Sequence, residues 1–313
     1  TFESLMTSSS DEAFSQYGLI AGHIEFPADR SSVTFTLRKE AHWHDGTPIT
    51  VEDVIFSFET LTKKGSPFYR VYYADVTGVE DLGERRVKFN FRRQNRELPL
   101  IVGQLSILPK KYFDTHDFEI TTLEPILGSG PYAVDLVEPG RTISYRRVGD
   151  YWGADLAVNR GRNNFDFIRI DYYRDDTVAL EAFKAHEFDW RFENTAKVWA
   201  NPGGPAVDAG LIIKVEIPHE QSTGLSAFVF NTRRPQFADR RVREALGLAF
   251  DYEWTNKNLF FGTYTRTNSY FSNSELASEG LPGTAELALL EPYRGQVPDD
   301  VFATEFVPPK TDG

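Results

Sequence analysis

The chain has 313 residues, 41% hydrophobic and 26% charged, with 25 Phe, 14 Tyr and 5 Trp; this is enough apolar material for more than one lobe and excludes a disordered chain. Thirty-four Lys and Arg against 46 Asp and Glu leave a net charge of -12, which repels polyanions and argues against nucleic acid or an anionic membrane as the main partner. Cysteine is absent, which excludes disulfides, thiolate nucleophiles, cysteine zinc sites and iron–sulfur clusters.

No apolar run reaches the roughly 18 residues of a membrane span. The opening TFESLMTSSSDEAF has neither the basic start nor the apolar stretch of a signal peptide, so an export leader is expected outside this sequence. In SVTFTLR, residues 32–38, Val33, Phe35 and Leu37 alternate with Thr34, Thr36 and Arg38, the period of a strand with one buried face. It leads into AHWHDGTPITVEDV, residues 41–54, where Asp45-Gly46 predicts a turn and Thr50 with Asp53 forms a Thr-x-x-acid capping box. Beyond Thr50, the spacing of Val51, Val54, Ile55, Phe58 and Leu61 predicts a helix with one apolar stripe, and Ile49 is set to staple against Val54.

RRVKFNF, residues 85–91, alternates again. Gly128-Ser129-Gly130-Pro131 is expected to be a tight bend in which the glycines take unusual φ values. Residues 132–148 read as a hairpin whose Pro139-Gly140 suits a type II turn. NFDFIRIDYY is strand-like, Asp175-Asp176 caps a helix through Phe183, and FDWRF, LIIKVEI and LSAFVF are expected to be further strands. NPGGP, residues 201–205, is a loop or linker candidate. Behind a cap at Asp239, Val242, Ala245, Leu246, Ala249 and Phe250 share one face of a helix, and beyond Gly280 a short helical run gives way to proline-rich polar text.

Candidate chemistry is sparse. His42, His44 and Asp45 could ligate a metal, but no other histidine lies at ligand spacing, the turn already employs Asp45-Gly46, and Trp43 points to packing. The segment is read as structural, with no metal. Gly128-Ser129-Gly130 lacks the third glycine of a dinucleotide motif and the Gly-Lys-Ser/Thr of a P-loop, so no nucleotide or other cofactor is expected. Asp175 and Asp176 suit a helix start better than an acid–base pair, and Arg233, Arg234, Arg240, Arg241 and Arg243 suit a solvated face. No Gly-x-Ser-x-Gly or His-Glu-x-x-His signature appears, so nothing calls for an enzyme.

FTLRKEAHWHDGTPITVEDVIFSFETL, GSGPY, YRRVGDYWG and FNTRRPQFADRRVREALGLAFD, in that order, resemble the family 5 solute-binding proteins of ABC importers. NRELPLIVGQL, NRGRNNFDFIRIDYYRDDTVALEAFK and WTNKNLFFGTYTRTNSYFSNSELAS are similar to the YejA-like branch, associated with oligopeptides and peptide-derived antibiotics. The resemblance implies an α/β, two-lobed periplasmic-binding-protein type II fold, here truncated at both ends. It implies most of the first lobe in residues 1–230, divided into a capping-box subdomain 1–132 and a hinge-side α/β part 133–230. Residues 231–313 would begin an incomplete second lobe.

The function implied is a periplasmic receptor, peripheral to the membrane at most, that delivers oligopeptides or peptide-derived compounds to ABC permease subunits. The ligand-binding residues expected are Asn231, Thr232, Trp254 and Tyr270. Asn231 lies between LSAFVF and the helix capped by Asp239, near the crossing between lobes, and its amide can both donate to and accept from a peptide backbone. The competing expectation is a cleft-type hydrolase of peptides or saccharides, since clefts rich in Trp and Tyr also hold sugars.

Overall fold

The computed structural model describes residues 1–9, 12, 15–219 and 222–312. They form two compact units, Thr1–Arg174 and Asp175–Gly313.

In the first unit, β1 (Met6–Ser8) and β2 (Gln16–Gly18) form an antiparallel pair. A four-stranded antiparallel sheet follows from β3 (Ala21–Glu25), β4 (Ser32–Leu37), β5 (Val76–Asp81) and β6 (Arg86–Phe91), in the order β3-β4-β6-β5. Between β4 and β5 run α1 (Val51–Lys64) and α2 (Pro67–Tyr72). The short helices α3 (Leu98–Gly103) and α4 (Lys110–Phe113) lead to a second antiparallel sheet, β7 (Tyr132–Glu138), β8 (Thr142–Arg147) and β9 (Phe167–Asp171).

The alternation in β4 buries Val33, Phe35 and Leu37 as expected, but Ser32 and Thr34 of this interior strand are buried too. Phe35 meets Phe89 of β6 edge-on at 6.0 Å, and Phe58 of α1 meets the same Phe89 ring at 5.8 Å, which ties helix to sheet. The start of α1 follows the capping box: Asp53 N–H donates to Thr50 Oγ1 at 3.2 Å, and Thr50 N–H donates back to Asp53 Oδ2 at 2.8 Å. Ile49 and Val54 are fully buried, as the staple requires.

The segment before α1 is held by main-chain bonds. Trp43 N–H donates to Thr47 O, Gly46 N–H donates to Trp43 O, and Gly46 sits at φ +80°, where glycine is at ease. Asp45 Oδ1 accepts from both the N–H and the Oγ1 of Thr47. The two imidazoles turn to different carbonyls: His42 Nδ1 to Trp43 O at 2.9 Å, and His44 Nε2 to Gly130 O at 2.8 Å. A carbonyl only accepts, so Nε2 of His44 carries the ring proton.

Burial pulls the pKa of His44 below its ordinary value, partly opposed by the bond to Gly130 O. The unfolded chain therefore takes up a proton that the folded chain resists. Stability is complete above the ordinary imidazole pKa and declines as pH falls below it. The unfolding midpoint should drop between about pH 7 and about pH 5, and His44→Gln should flatten that slope. Equal slopes in the two proteins would contradict the assignment.

Two expectations for this unit meet different outcomes. Pro139-Gly140 makes the type II turn, with Gly140 at φ +73° and Arg141 N–H donating to Glu138 O at 3.0 Å. Gly128 and Gly130, in contrast, are not among the positive-φ glycines. They are required because Thr1 passes against them: Ser129 and Gly130 N–H both donate to Thr1 O, and a Cβ on either glycine would overlap Thr1.

In the second unit the longer regular elements among the described residues are helices, joined by extensive irregular segments: α5 (Asp176–Lys184), α6 (Ala196–Ala200), α7 (Pro205–Asp208), α8 (Pro235–Ala238), α9 (Arg240–Leu248), α10 (Tyr252–Asn258), α11 (Thr284–Leu290) and α12 (Asp300–Ala303). FDWRF, LIIKVEI and LSAFVF are not strands. Their composition suits a pleated surface, but a strand exists only with a ladder partner, and Ile213 and Val229 stand 81% and 91% exposed. NPGGP is a loop between α6 and α7, with Gly203 and Gly204 at positive φ.

Asp239 caps α9, its Oδ1 accepting from Arg241 N–H at 2.9 Å, but Val242, Leu246 and Phe250 remain exposed on that helix and its continuation. Asp239→Ala should lower the thermal midpoint of this unit by a few degrees, through loss of the cap alone. An unchanged midpoint would remove Asp239 from helix stability.

Candidate binding groove

Side chains of the second unit surround an open groove of about 770 Å³. Its first wall is α5, started by Asp175, whose Oδ1 accepts from Val178 N–H at 3.0 Å, and contributing Leu180, Phe183 and Lys184. Arg191 and Glu193 come next and pair with each other at 2.9 Å, their side chains only 14% and 9% exposed. Burial draws the Glu193 pKa up, but hydrogen bonds from Thr195 and Arg191 outweigh it and hold the carboxyl below its ordinary range. Because Thr195 precedes α6, the same carboxylate also fixes the start of the helix that carries Trp199.

Trp190 and Phe192 flank that ion pair with their rings 6.4 Å apart and 31° from parallel, and both stand more than two-thirds exposed. Lys214 comes from the segment expected to be a strand. Its Nζ donates to Trp199 O at 2.8 Å and lies 5.0 Å from the centre of the Trp199 ring. Tyr264 closes part of the rim, held by Asn256 of α10, whose Nδ2 donates to Tyr264 O at 2.8 Å. Exposed aromatic faces, aliphatic chains and a positioned cation can hold an apolar group that carries negative charge.

The four residues expected to bind ligand do not line this groove. Asn231 is exposed, and its Oδ1 accepts from the N–H and Nε of Arg233. Its neighbour Thr232 is exposed as well. Trp254 lies half-exposed on α10, and Tyr270 is 77% exposed. Asn231 and Thr232 are adjacent in the chain; among the described residues no bond or ring contact joins them to Trp254 or Tyr270.

Residues 17–291 match the sequence profile of the bacterial extracellular solute-binding proteins, family 5 Middle. The chain belongs to this family. It is 44% identical to YejA of Escherichia coli K12 over 313 residues, covering 100% of this chain and 52% of YejA. The peptidoglycan-binding protein YepA of Agrobacterium fabrum C58 is 40% identical over 323 residues, covering 100% of this chain and 52% of YepA. Among solved structures, the oligopeptide-binding protein AppA from Bacillus subtilis in complex with a nonapeptide is similar in fold, with a TM-score of 0.65 at 19% identity over 90% of this chain and 54% of AppA.

This family 5 chain is thus YejA-like with the family's mixed α/β fold, and it spans about half the length of the curated relatives it matches. Among the described residues no helix is long and apolar enough to cross a membrane. Sequence reasoning missed Trp190, Phe192, Trp199 and Lys214 as groove residues. The available signal was the density of aromatics in FDWRF, which the strand reading absorbed; Trp199 is the single aromatic of the α6 segment.

Proposed function

We propose that the protein at the length of its relatives is an extracytoplasmic, periplasmic receptor, peripheral to the membrane at most, that binds oligopeptides or peptide-derived compounds and delivers them to the permease subunits of an ABC importer. The observation that carries this reading is the family match over residues 17–291. The likeness of fold to an oligopeptide-binding protein holding a nonapeptide supports the ligand class. Binding without turnover suits the groove, where Arg191 and Glu193 are spent on each other rather than aimed at a ligand as acid and base. A relative named for binding peptidoglycan, together with the exposed Trp190–Phe192 faces, favours peptides linked to sugars as a second ligand class.

Asn231, Thr232, Trp254 and Tyr270 are further proposed contacts, with the boundary between lobes near Asn231. Its Oδ1 being engaged by Arg233, the amide N–H groups are what Asn231 offers a peptide carbonyl. Titration calorimetry with a peptide pool should detect binding, and Asn231→Ala should weaken it by about 1–3 kcal/mol through an unpaired carbonyl in a desolvated site. Unaltered affinity would strike Asn231 from the site. Cleavage of the same peptides in a turnover assay would replace a receptor by a hydrolase.

A further inference from the structure

In the first unit a ladder of aromatic rings runs from the core to the surface. Phe89 meets Phe58 at 5.8 Å, Phe58 meets Tyr73 at 5.8 Å, Tyr73 meets Tyr72 at 5.3 Å, and Tyr72 stacks on Phe68 at 4.9 Å. The ladder ends in solvent: Phe68 is 59% exposed, and Val71, one turn along on the same side of α2, is 77% exposed. A ring held this way loses little freedom when something covers it.

Arginines surround this apolar tip. Arg70 is exposed on α2 itself, and the loop after β6 lies alongside, with Arg92 N–H donating to Asp75 O at 2.8 Å and Arg93 paired with the Asp75 carboxylate at 2.7 Å. Just before α2, Lys63 and Lys64 are matched by Glu59, Asp117 and Glu119. Arg70, Arg92 and Arg96 are exposed and have no carboxylate partner among the described residues. With Glu97 counted against these three, the patch keeps two net positive charges in a chain whose total is -12. Exposed charges farther off than about 8 Å are largely screened at physiological ionic strength, so the local sign decides what this surface attracts. A second copy seated face to face would set arginines against arginines.

We infer that α2 and the 92–97 loop are a docking surface for an anionic lipid bilayer, with Phe68 and Val71 entering the interface and Arg70, Arg92 and Arg96 on lipid phosphates. Apolar tips beside guanidinium groups suit the headgroup boundary, where side chains meet acyl carbon and phosphate oxygen together. The inference is independent of what the groove of the second unit holds.

The test is flotation of the full-length protein with protein-free vesicles, either pure phosphatidylcholine or equal parts phosphatidylcholine and phosphatidylglycerol. Two net charges should favour the anionic vesicles by about thirtyfold, and high salt should abolish the preference. Phe68→Ser should lower partitioning about tenfold. Replacing Arg70, Arg92 and Arg96 together by Gln should remove the preference, and replacing them by Lys should restore it, which separates lost charge from lost fold. In Phe68→Trp, brominated lipid should quench more fluorescence than in wild type, because the new indole enters the bilayer. Equal partitioning to both vesicles, a preference that survives the Gln variant, or no added quenching in Phe68→Trp would overturn the surface. Binding only to native membrane vesicles, and not to protein-free lipid, would assign the patch to a protein partner and overturn it as well.

Discussion

Replacing Phe89 by alanine should cost the first unit about 3–5 kcal/mol, the range for removing a buried aromatic ring from a core that only partly collapses. Phe89 is fully buried at the centre of β6 and is the ring on which β4 and α1 both rest, through Phe35 at 6.0 Å and Phe58 at 5.8 Å. The loss therefore combines transfer free energy, a cavity and two edge-to-face contacts whose partners come from separate elements. Domains of this size are stable by only about 5–15 kcal/mol, so the variant should unfold at a far lower denaturant concentration. Guanidinium titration followed by near-ultraviolet circular dichroism is the measurement. A shift smaller than about 1 kcal/mol would mean that the sheet and α1 are not held through this ring. Phe58→Leu, which keeps apolar volume at the edge of the same cluster, should cost much less.

What the sequence made legible was local. The capping box at Thr50 and Asp53 needs only residues three apart, the turn at Pro139-Gly140 only four, and the alternation of β4 and β6 only the pleat; each is found where expected. What it hid depends on residues far apart. Gly128 and Gly130 are glycines because Thr1 lies against them, a contact across more than 125 positions for which φ preference is no guide. FDWRF, LIIKVEI and LSAFVF carry strand composition, but pairing depends on a neighbour that composition does not name. The groove is a similar case. Lys214 and Trp199 are fifteen residues apart and meet only because the loop after α6 and the turn of α7 bring the chain back, so neither residue looks functional in its own segment.

The unpaired segments lead to the second large effect. Ile213, Val215 and Ile217 are 63–81% exposed, and Phe228 and Val229 are 83% and 91% exposed, which is apolar surface in rows rather than scattered singly. Such rows mark an interaction site or drive self-association. The protein at the length of its relatives is expected to cover them. The 313-residue chain expressed alone should instead self-associate at micromolar concentration in sedimentation velocity, and bind the peptide pool weaker by a factor on the order of 100, since it spans only about half the length of the relatives on which the receptor reading rests. The double substitution Ile213→Lys and Val229→Lys separates the two situations. In the short chain it places charge on exposed positions and should shift the sedimentation profile towards monomer. In the longer protein the same lysines would lie where apolar side chains are covered, and burying an unpaired ammonium is costly, so expression and thermal midpoint should both fall steeply. A longer protein that tolerates both lysines, with peptide binding unchanged, would mean that these rows stay open to solvent and that the covering surface lies elsewhere.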